Sequence, residues 1–389
     1  MFIIFFIYSL KYLNNVMSFR SKNLFIEFCI IISFLYSCKQ KIELNDSSEF
    51  LYKVEKVLSH DGIIWSIEFI DENKIIFTDK SGKIFTYDGE DKKEIIGAPE
   101  IYLNRQGGLM DIELHPNFNS NKIIYLTYAK KLDESGGNTA LARGVFDGDK
   151  IDNLKDIFVS KQSSEKGTHW GSRIEFNNEG HLFFAIGDRG SRDINPQDLY
   201  RDAGKVFRIN DDGSIPSDNP YVNKIGINPA IYSYGHRNPQ GIFLHPETNE
   251  IWTNEHGPRG GDEINIIDSE NNYGWPIISY GINYDSSIFT SITKKEGMEE
   301  PLYYWVPSIA PSCFEYLDSD KYEEWKGSLL VGSLNYGYVE RLTMNIFGQI
   351  NYREKLAPSI GRVRDIKVSP NGYIHIAVEK DGIYKITPI

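Results

Sequence analysis

The chain has 389 residues, 41% hydrophobic and 25% charged, an ordinary globular composition with ample length to bury a core. Its 42 Lys and Arg against 54 Asp and Glu leave a net charge of −12, which argues against general nucleic-acid binding through clustered positive charge. Three cysteines, Cys29, Cys38 and Cys313, cannot build a disulfide framework or a paired-cysteine metal site.

Residues 1–37 read as a processing segment, outside the fold. Met17 is a second plausible start, followed by Arg20 and Lys22, an apolar run over 24–35 and the junction Leu35-Tyr36-Ser37-Cys38. That order resembles a bacterial lipoprotein signal, with Ser37 as the small residue and the Cys38 thiol as lipid acceptor. Tyr36 and Glu27 fit it imperfectly, and a plain export signal or short anchor is the alternative. The apolar run within 1–16 is too short to span a bilayer. The expectation is an exported, periplasmic protein tied to a bacterial membrane through lipid on Cys38. Removing 1–37 takes away three basic residues and one acidic one, leaving −14. A polar tether over 38–49 follows.

Residues 50–389 read as one all-β domain. The 24 Tyr, 22 Phe and 33 Gly suit aromatic strands separated by glycine turns better than long helices. Strands are expected at 63–70, 74–78, 83–87, 122–128, 181–186, 250–253, 328–331 and 373–378. Turns such as Asn178-Glu179-Gly180, Pro370-Asn371-Gly372 and Lys380-Asp381-Gly382 lie between strands. Four segments, LHPNFNSNKIIYLTYA, IEFNNEGHLFFAIGD, FLHPETNEIWTNEHG and VSPNGYIHIAVEKDG, repeat one order: strand, Pro or Asn turn, inner strand. At roughly 50–60 residues per four-stranded blade this predicts a six-bladed β-propeller, with a two-sheet sandwich as the alternative.

Polar clusters fall where strands give way to loops: Gly167–Arg173, Ile186–Gly190, Tyr234–Gly241, Glu255–Glu263 and Gly361–Asp365. Singly, each has a bland account. A histidine beside tryptophan is usually packed, Arg-x-Arg is usually a solvated face, and Asp-Glu after Gly-Gly caps a loop. Together, QGGLMDIELHPNF, HWGSR, GKVFRINDDGSIPSDNP, YSYGHRNPQG, EHGPRGGDEIN, NNYGWPIISYG, PSIAP and RVRD resemble the soluble quinoprotein sugar dehydrogenases, the glucose/sorbosone dehydrogenase family, over about Gln106 to Asp365. The wording is nearer the broad aldose-oxidising branch than the glucose enzyme.

That resemblance implies pyrroloquinoline quinone (PQQ) and Ca²⁺ at one end of a propeller axis, and oxidation of aldoses at C1 to lactones. By the same resemblance, His169 is the base for the hydroxyl proton, a task that suits a neutral imidazole. Asp188 orients it, and Arg237 stands beside the quinone carbonyl. Arg362 and Arg364, on one face of a strand, match cations for the cofactor carboxylates. Asn238 matches a hydrogen-bonding partner and Ser308 a Thr near the cofactor. Gly257 and Pro258 match carbonyls that hold Ca²⁺, and Gln106 and Tyr303 match substrate-pocket positions. The chain departs from the glucose branch at Thr168 (an acid there), Asn335 (a Lys), Val306 (a Trp) and Asp193 (a Gln). Asn283 takes the place of an acidic ligand to a second calcium, which is therefore not expected. The partners implied are an aldose and an electron acceptor, a quinone or cytochrome. A non-catalytic binding propeller and a Ca²⁺-dependent sugar lactonase are the competing functions.

Overall fold

The computed structural model describes residues 42–133 and 136–389. The leader and Cys38 lie outside the described residues. The chain divides at Glu43 and Leu44, and the fold is that of Leu44–Ile389.

Six sheets, each built on four antiparallel strands, make the blades; five take their four strands consecutively from the chain. Blade 1 is Ile64–Phe69, Ile75–Asp79, Lys83–Tyr87 and Lys92–Ile95; blade 2 is Leu109–Leu114, Ile123–Asp133, Gly136–Phe146 and Ile151–Val159. Blade 3 is Ile174–Phe176, His181–Ile186, Lys205–Asn210 and Ile231–Tyr234; blade 4 is Pro239–Leu244, Ile251–Glu255, Asp262–Ile267 and Tyr303–Trp305. Blade 5 is Pro311–Leu317, Ser328–Ser333, Tyr338–Met344 and Ile350–Leu356. Blade 6 takes Val363–Val368, Ile374–Val378 and Gly382–Pro388 from the C-terminus and its outer strand, Tyr52–Ser59, from the N-terminal side. The innermost strands touch in sequence and the sixth returns to the first, so the ring is closed. This is the six-bladed all-β propeller that the repeats predict, not a sandwich.

Burial explains which strands were visible. The second strand of each blade is covered on both faces by neighbouring blades and reads as a continuous apolar run; IIFTD of blade 1 and IHIAV of blade 6 are wholly buried. Outer strands meet water on one side, and the blade 2 strand IDNLKDIFV is mixed along its length. Among the described residues helix is limited to the single turn Phe118–Asn121 and the 3₁₀ segment Asp320–Trp325. Part of the expected tether has structure: Leu44–Asn45 adds a parallel strand to the outer edge of blade 5, opposite Arg353 and Glu354. That edge offers unpaired backbone groups, which the passing chain satisfies.

One side chain ties the ring together. Arg173, just before the innermost strand of blade 3, reaches the innermost strand of every other blade. It donates to the Gln240 carbonyl at 3.2 Å, Ser66 Oγ at 3.4 Å, Asp111 Oδ1 at 2.9 Å and the Ser312 carbonyl at 3.4 Å. It also pairs with Asp365 at 3.1 Å and lies over the Trp65 ring. Farther along the axis is a cavity of about 240 Å³ lined by Glu68, Glu113, Glu175, Glu315 and Lys367. The site residues lie at the opposite end, where innermost strands begin and second strands finish.

Candidate active site

His169 sits between blades 2 and 3, in the left-handed backbone region with φ of 52°. The neighbouring Gly171 makes that turn possible: its φ is 62°, and a Cβ would stand 2.6 Å from the Ala185 carbonyl. The His169 amide donates to Gln106 Oε1 at 2.7 Å, which fixes the loop from the blade 1–2 side.

Asp188 leaves the second strand of blade 3 and lies 2.6 Å from His169 Nδ1. A carboxylate only accepts, so Nδ1 carries the proton and the lone pair is on Nε2. No described residue bonds to Nε2, and 18% of the side chain is exposed. Asp188 also accepts from Trp275 Nε1 at 2.8 Å and the Gly190 amide at 2.7 Å. Burial alone would raise its pKa, but His169 and then Arg237 keep it below the ordinary carboxylate value. Burial, followed by Arg237, lowers the His169 pKa against the opposing pull of Asp188. The pair is therefore a neutral imidazole and an ionised carboxylate at neutral pH.

Arg237 and Asn238 precede the innermost strand of blade 4. Their amides donate to Glu255 Oε2 at 2.7 and 3.3 Å, and Glu255 Oε1 takes His236 Nδ1 and Asn265 Nδ2. The Arg237 guanidinium lies over the Trp275 ring and donates to the His256 carbonyl at 2.8 Å. His256 is half-buried near Arg237 and Arg364, and its pKa falls to about 3, by burial first and then by those cations.

The next loop residues, Gly257 and Pro258, are buried, and their carbonyls accept no hydrogen bond from the described residues. Gly257 is tightly enclosed, since a Cβ would meet the Gly260 carbonyl at 2.2 Å. Its amide is held at 2.8 Å by Asp262, which also accepts from Ser308 Oγ and the Ile309 and Ala310 amides. Burial pushes the Asp262 pKa up to about 6. Unpaired carbonyl oxygens suit a hard cation such as Ca²⁺. Among the described residues there is no cluster of three acidic, His or Cys side chains for a metal, so such an ion would rely on main-chain oxygen.

Arg362 and Arg364 do point the same way, but toward a carboxylate of the chain itself. Glu379, leaving the second strand of blade 6, takes Arg362 Nε at 2.7 Å and Arg364 Nε at 2.9 Å. Arg364 is largely buried, whereas 56% of the Arg362 side chain is exposed. Lys80, at the matching strand end of blade 1, is a further half-buried cation; burial and then Arg364 lower its pKa. Asn335 is exposed and donates to the Ser308 carbonyl at 3.2 Å.

The structure thus gathers Gln106, His169, Asp188, Arg237, Asn238, Gly257, Pro258, Ser308, Arg362 and Arg364 at one end of the axis. Tyr303 is set apart: it lies in the outer strand of blade 4, edge-on to Trp305 and beneath the Arg353 guanidinium of blade 5. Asn283, expected from the sequence not to serve a second metal, accepts from Arg192 at 2.6 Å. Glu255, Trp275, Asp262 and Glu379 are supports the sequence reading had not assigned. The first three lie within the motifs that carry the family resemblance, but their partners are set by blade geometry; Glu379 lies outside those motifs, in the last strand-turn repeat.

A closed six-bladed propeller with a His–Asp pair and arginines around its axis defines a class of protein able to take a proton beside an anionic ligand. Comparison makes that specific. The glucose/sorbosone dehydrogenase family profile matches residues 61–385, and the chain belongs to that family. Aldose sugar dehydrogenase YliI of Escherichia coli is 34% identical over 83% of this chain and 90% of its own length. The apo crystal structure of the soluble E. coli aldose sugar dehydrogenase superposes with a TM-score of 0.82 at 32% identity, covering 87% of this chain and all of that one. Quinoprotein glucose dehydrogenase B of Acinetobacter calcoaceticus is 28% identical over 86% of this chain and 85% of its own. In fold alone, the PQQ-bound aldose sugar dehydrogenase of Streptomyces coelicolor matches with a TM-score of 0.71 at 20% identity, over 88% of this chain and 99% of that one. The protein is accordingly a sugar dehydrogenase of a quinoprotein-type family.

Proposed function

We propose that the chain oxidises aldoses at C1 to lactones with PQQ as cofactor and Ca²⁺ holding it. The observation that carries this reading is the His169–Asp188 pair, whose Nε2 takes no bond from the described residues and whose imidazole feels the Arg237 charge. When bound, PQQ supplies the two-electron acceptor for the hydride that leaves C1.

The chain's own residues do the rest. His169 Nε2 takes the C1 hydroxyl proton as the carbonyl forms, and Asp188 stabilises the resulting imidazolium through Nδ1. Arg237 places fixed positive charge at the site before reaction, where it needs no reorganisation. Arg362 and Arg364 would be the cations for cofactor carboxylates and Arg237 the cation beside the quinone carbonyl, with Asn238 and Ser308 as polar neighbours. The Gly257 and Pro258 carbonyls are the ligands for Ca²⁺. Gln106 borders the sugar through its hold on the His169 amide, and Tyr303 remains a candidate only for an outer part of the pocket. The electrons pass on to a quinone or cytochrome, and export with lipid on Cys38 would place the reaction in the periplasm.

The test is reconstitution. Metal-stripped protein is titrated with PQQ plus Ca²⁺ or Mg²⁺ while melting temperature and aldose-dependent dye reduction are followed. Dye reduction that needs both PQQ and Ca²⁺ is expected, with Mg²⁺ a poor substitute because it demands tight octahedral geometry and keeps its waters. Calcium should also raise the melting temperature, since it binds only the folded loop. Protein that takes up PQQ yet reduces no dye with any aldose would point to a binding propeller and overturn the proposal.

A further inference from the structure

Arg189 follows Asp188 directly and is 2% exposed. Its guanidinium donates to the Thr168 carbonyl at 2.6 Å and to the Gly137 carbonyl at 3.2 Å. It stacks on Trp170 with its central carbon 3.3 Å from the ring centroid. Thr168 and Trp170 are the two chain neighbours of His169. Arg189 therefore grips the loop on both sides of the residue that carries the lone pair, while its own backbone adjoins the orienting acid. Both gripped and gripping residues are in the left-handed region, with φ of 52° at His169 and 54° at Arg189. For non-glycine residues such backbone persists only where the surroundings over-determine it.

The charge of Arg189 is unusual as well. No carboxylate among the described residues pairs with it, and its Nε has no partner. Asp188 spends its oxygens on His169, Trp275 and Gly190 instead. Burying a cation without a counter-ion is unfavourable, and a neutral side chain could fill the same space at less cost. Burial lowers the Arg189 pKa to about 9, which still leaves it charged at neutral pH.

We propose that Arg189 is a positioning residue for the His169–Asp188 pair: its fork clamps the backbone on both sides of His169, and its charge faces the pair without a counter-ion of its own. It does not touch substrate. Four ionisable groups bear on the imidazole: Asp188, which favours its charged form, and Arg237, Arg189 and the nearby His256. Removing Arg189 takes away one of the cations that disfavour the imidazolium. The proposal rests on His169 as the base, but its consequence can be read without any cofactor.

The experiment is an NMR titration of the His169 imidazole in ligand-free protein, with its signal assigned by difference from His169→Gln. Arg189→Gln and Arg189→Lys are compared with wild type, and melting curves report folding. In Arg189→Gln the titration midpoint should rise by about half a pH unit or more, the size expected for losing one nearby charge at an effective dielectric near 20. Arg189→Lys keeps the charge and should keep the wild-type midpoint. Folded Arg189→Gln with an unchanged midpoint would overturn the proposal, as would the same displacement in both variants. Should Arg189→Gln not fold, Arg189→Lys decides: a wild-type midpoint supports the charge role and a displaced one refutes it. Because PQQ and sugar are absent, failure of the aldose reading would leave this result standing.

Discussion

His169 owes its chemistry to neighbours of opposite effect. Asp188 alone would raise its affinity for a proton; burial and Arg237 outweigh that and keep the ring neutral. A base must be unprotonated to act, so turnover should be full above the His169 pKa and lost as pH falls through it. With that pKa below the ordinary 6.5, the acid limb of kcat/KM should lie below pH 6.5. A limb at or above that pH would mean the base is another group. His169→Gln should lower turnover by about 10²–10⁴-fold while PQQ still binds. Glu379 invites a second test. It neutralises part of the charge of Arg362 and Arg364, and under the proposed function it would bring its own negative charge close to the anionic cofactor. Glu379→Gln should therefore lower the PQQ concentration needed for half-saturation, measured by fluorescence quenching. Weaker binding would mean that Glu379 matters more for aiming the arginines than for opposing the ligand.

At the scale of elements, the strands a reader can find are those with both faces covered. The second strands IIFTD, HLFFAI and IHIAV were evident, whereas Gly136–Phe146 begins with two glycines and Ile151–Val159 is rich in charge. The site was legible where chemistry is concentrated in short motifs, as at His169, Asp188 and Arg237. It was not legible where two strands must first be placed side by side: nothing in the sequence pairs Glu379 with Arg362 and Arg364, or Asp262 with Ser308. Tyr303 shows the converse, a residue matched by position whose contacts are with the blade 4–5 interface.

The innermost strands also carry the four glutamates of the far cavity. Burial pushes the Glu315 pKa up to about 8, opposed by Lys367 and reinforced by Glu175 and Glu68. Between its ordinary 4.5 and about 8, the folded protein retains a proton there that the unfolded chain releases. Stability from this group must then fall as pH rises across that window. Glu315→Gln should melt higher than wild type at pH 8 and differ little at pH 4.5. Equal melting curves at pH 8 would show the carboxyl to be solvated after all.

Considered whole, the molecule is closed twice, by the Tyr52–Ser59 strand at its rim and by Arg173 at its centre. Replacing Arg173 with Met would strand Asp111 and Asp365 without a counter-ion and cut the ties among all six blades. Losing one partner of a buried ion pair typically costs about 3–5 kcal/mol, and denaturant unfolding of Arg173→Met should show a loss of that order. A loss under about 1 kcal/mol, the level of an exposed pair, would mean the ring is held by its apolar strands alone.

Arg173 also acts as a diaphragm. It divides the axis into two chambers, the proposed site on one side and an acid-lined vestibule on the other. On the proposed function, sugar would enter and lactone would leave at the end of the axis where His169 and Arg362 reach solvent, not through the acid-lined vestibule. By the same proposal, the electron acceptor would share that entrance and take its turn with the sugar.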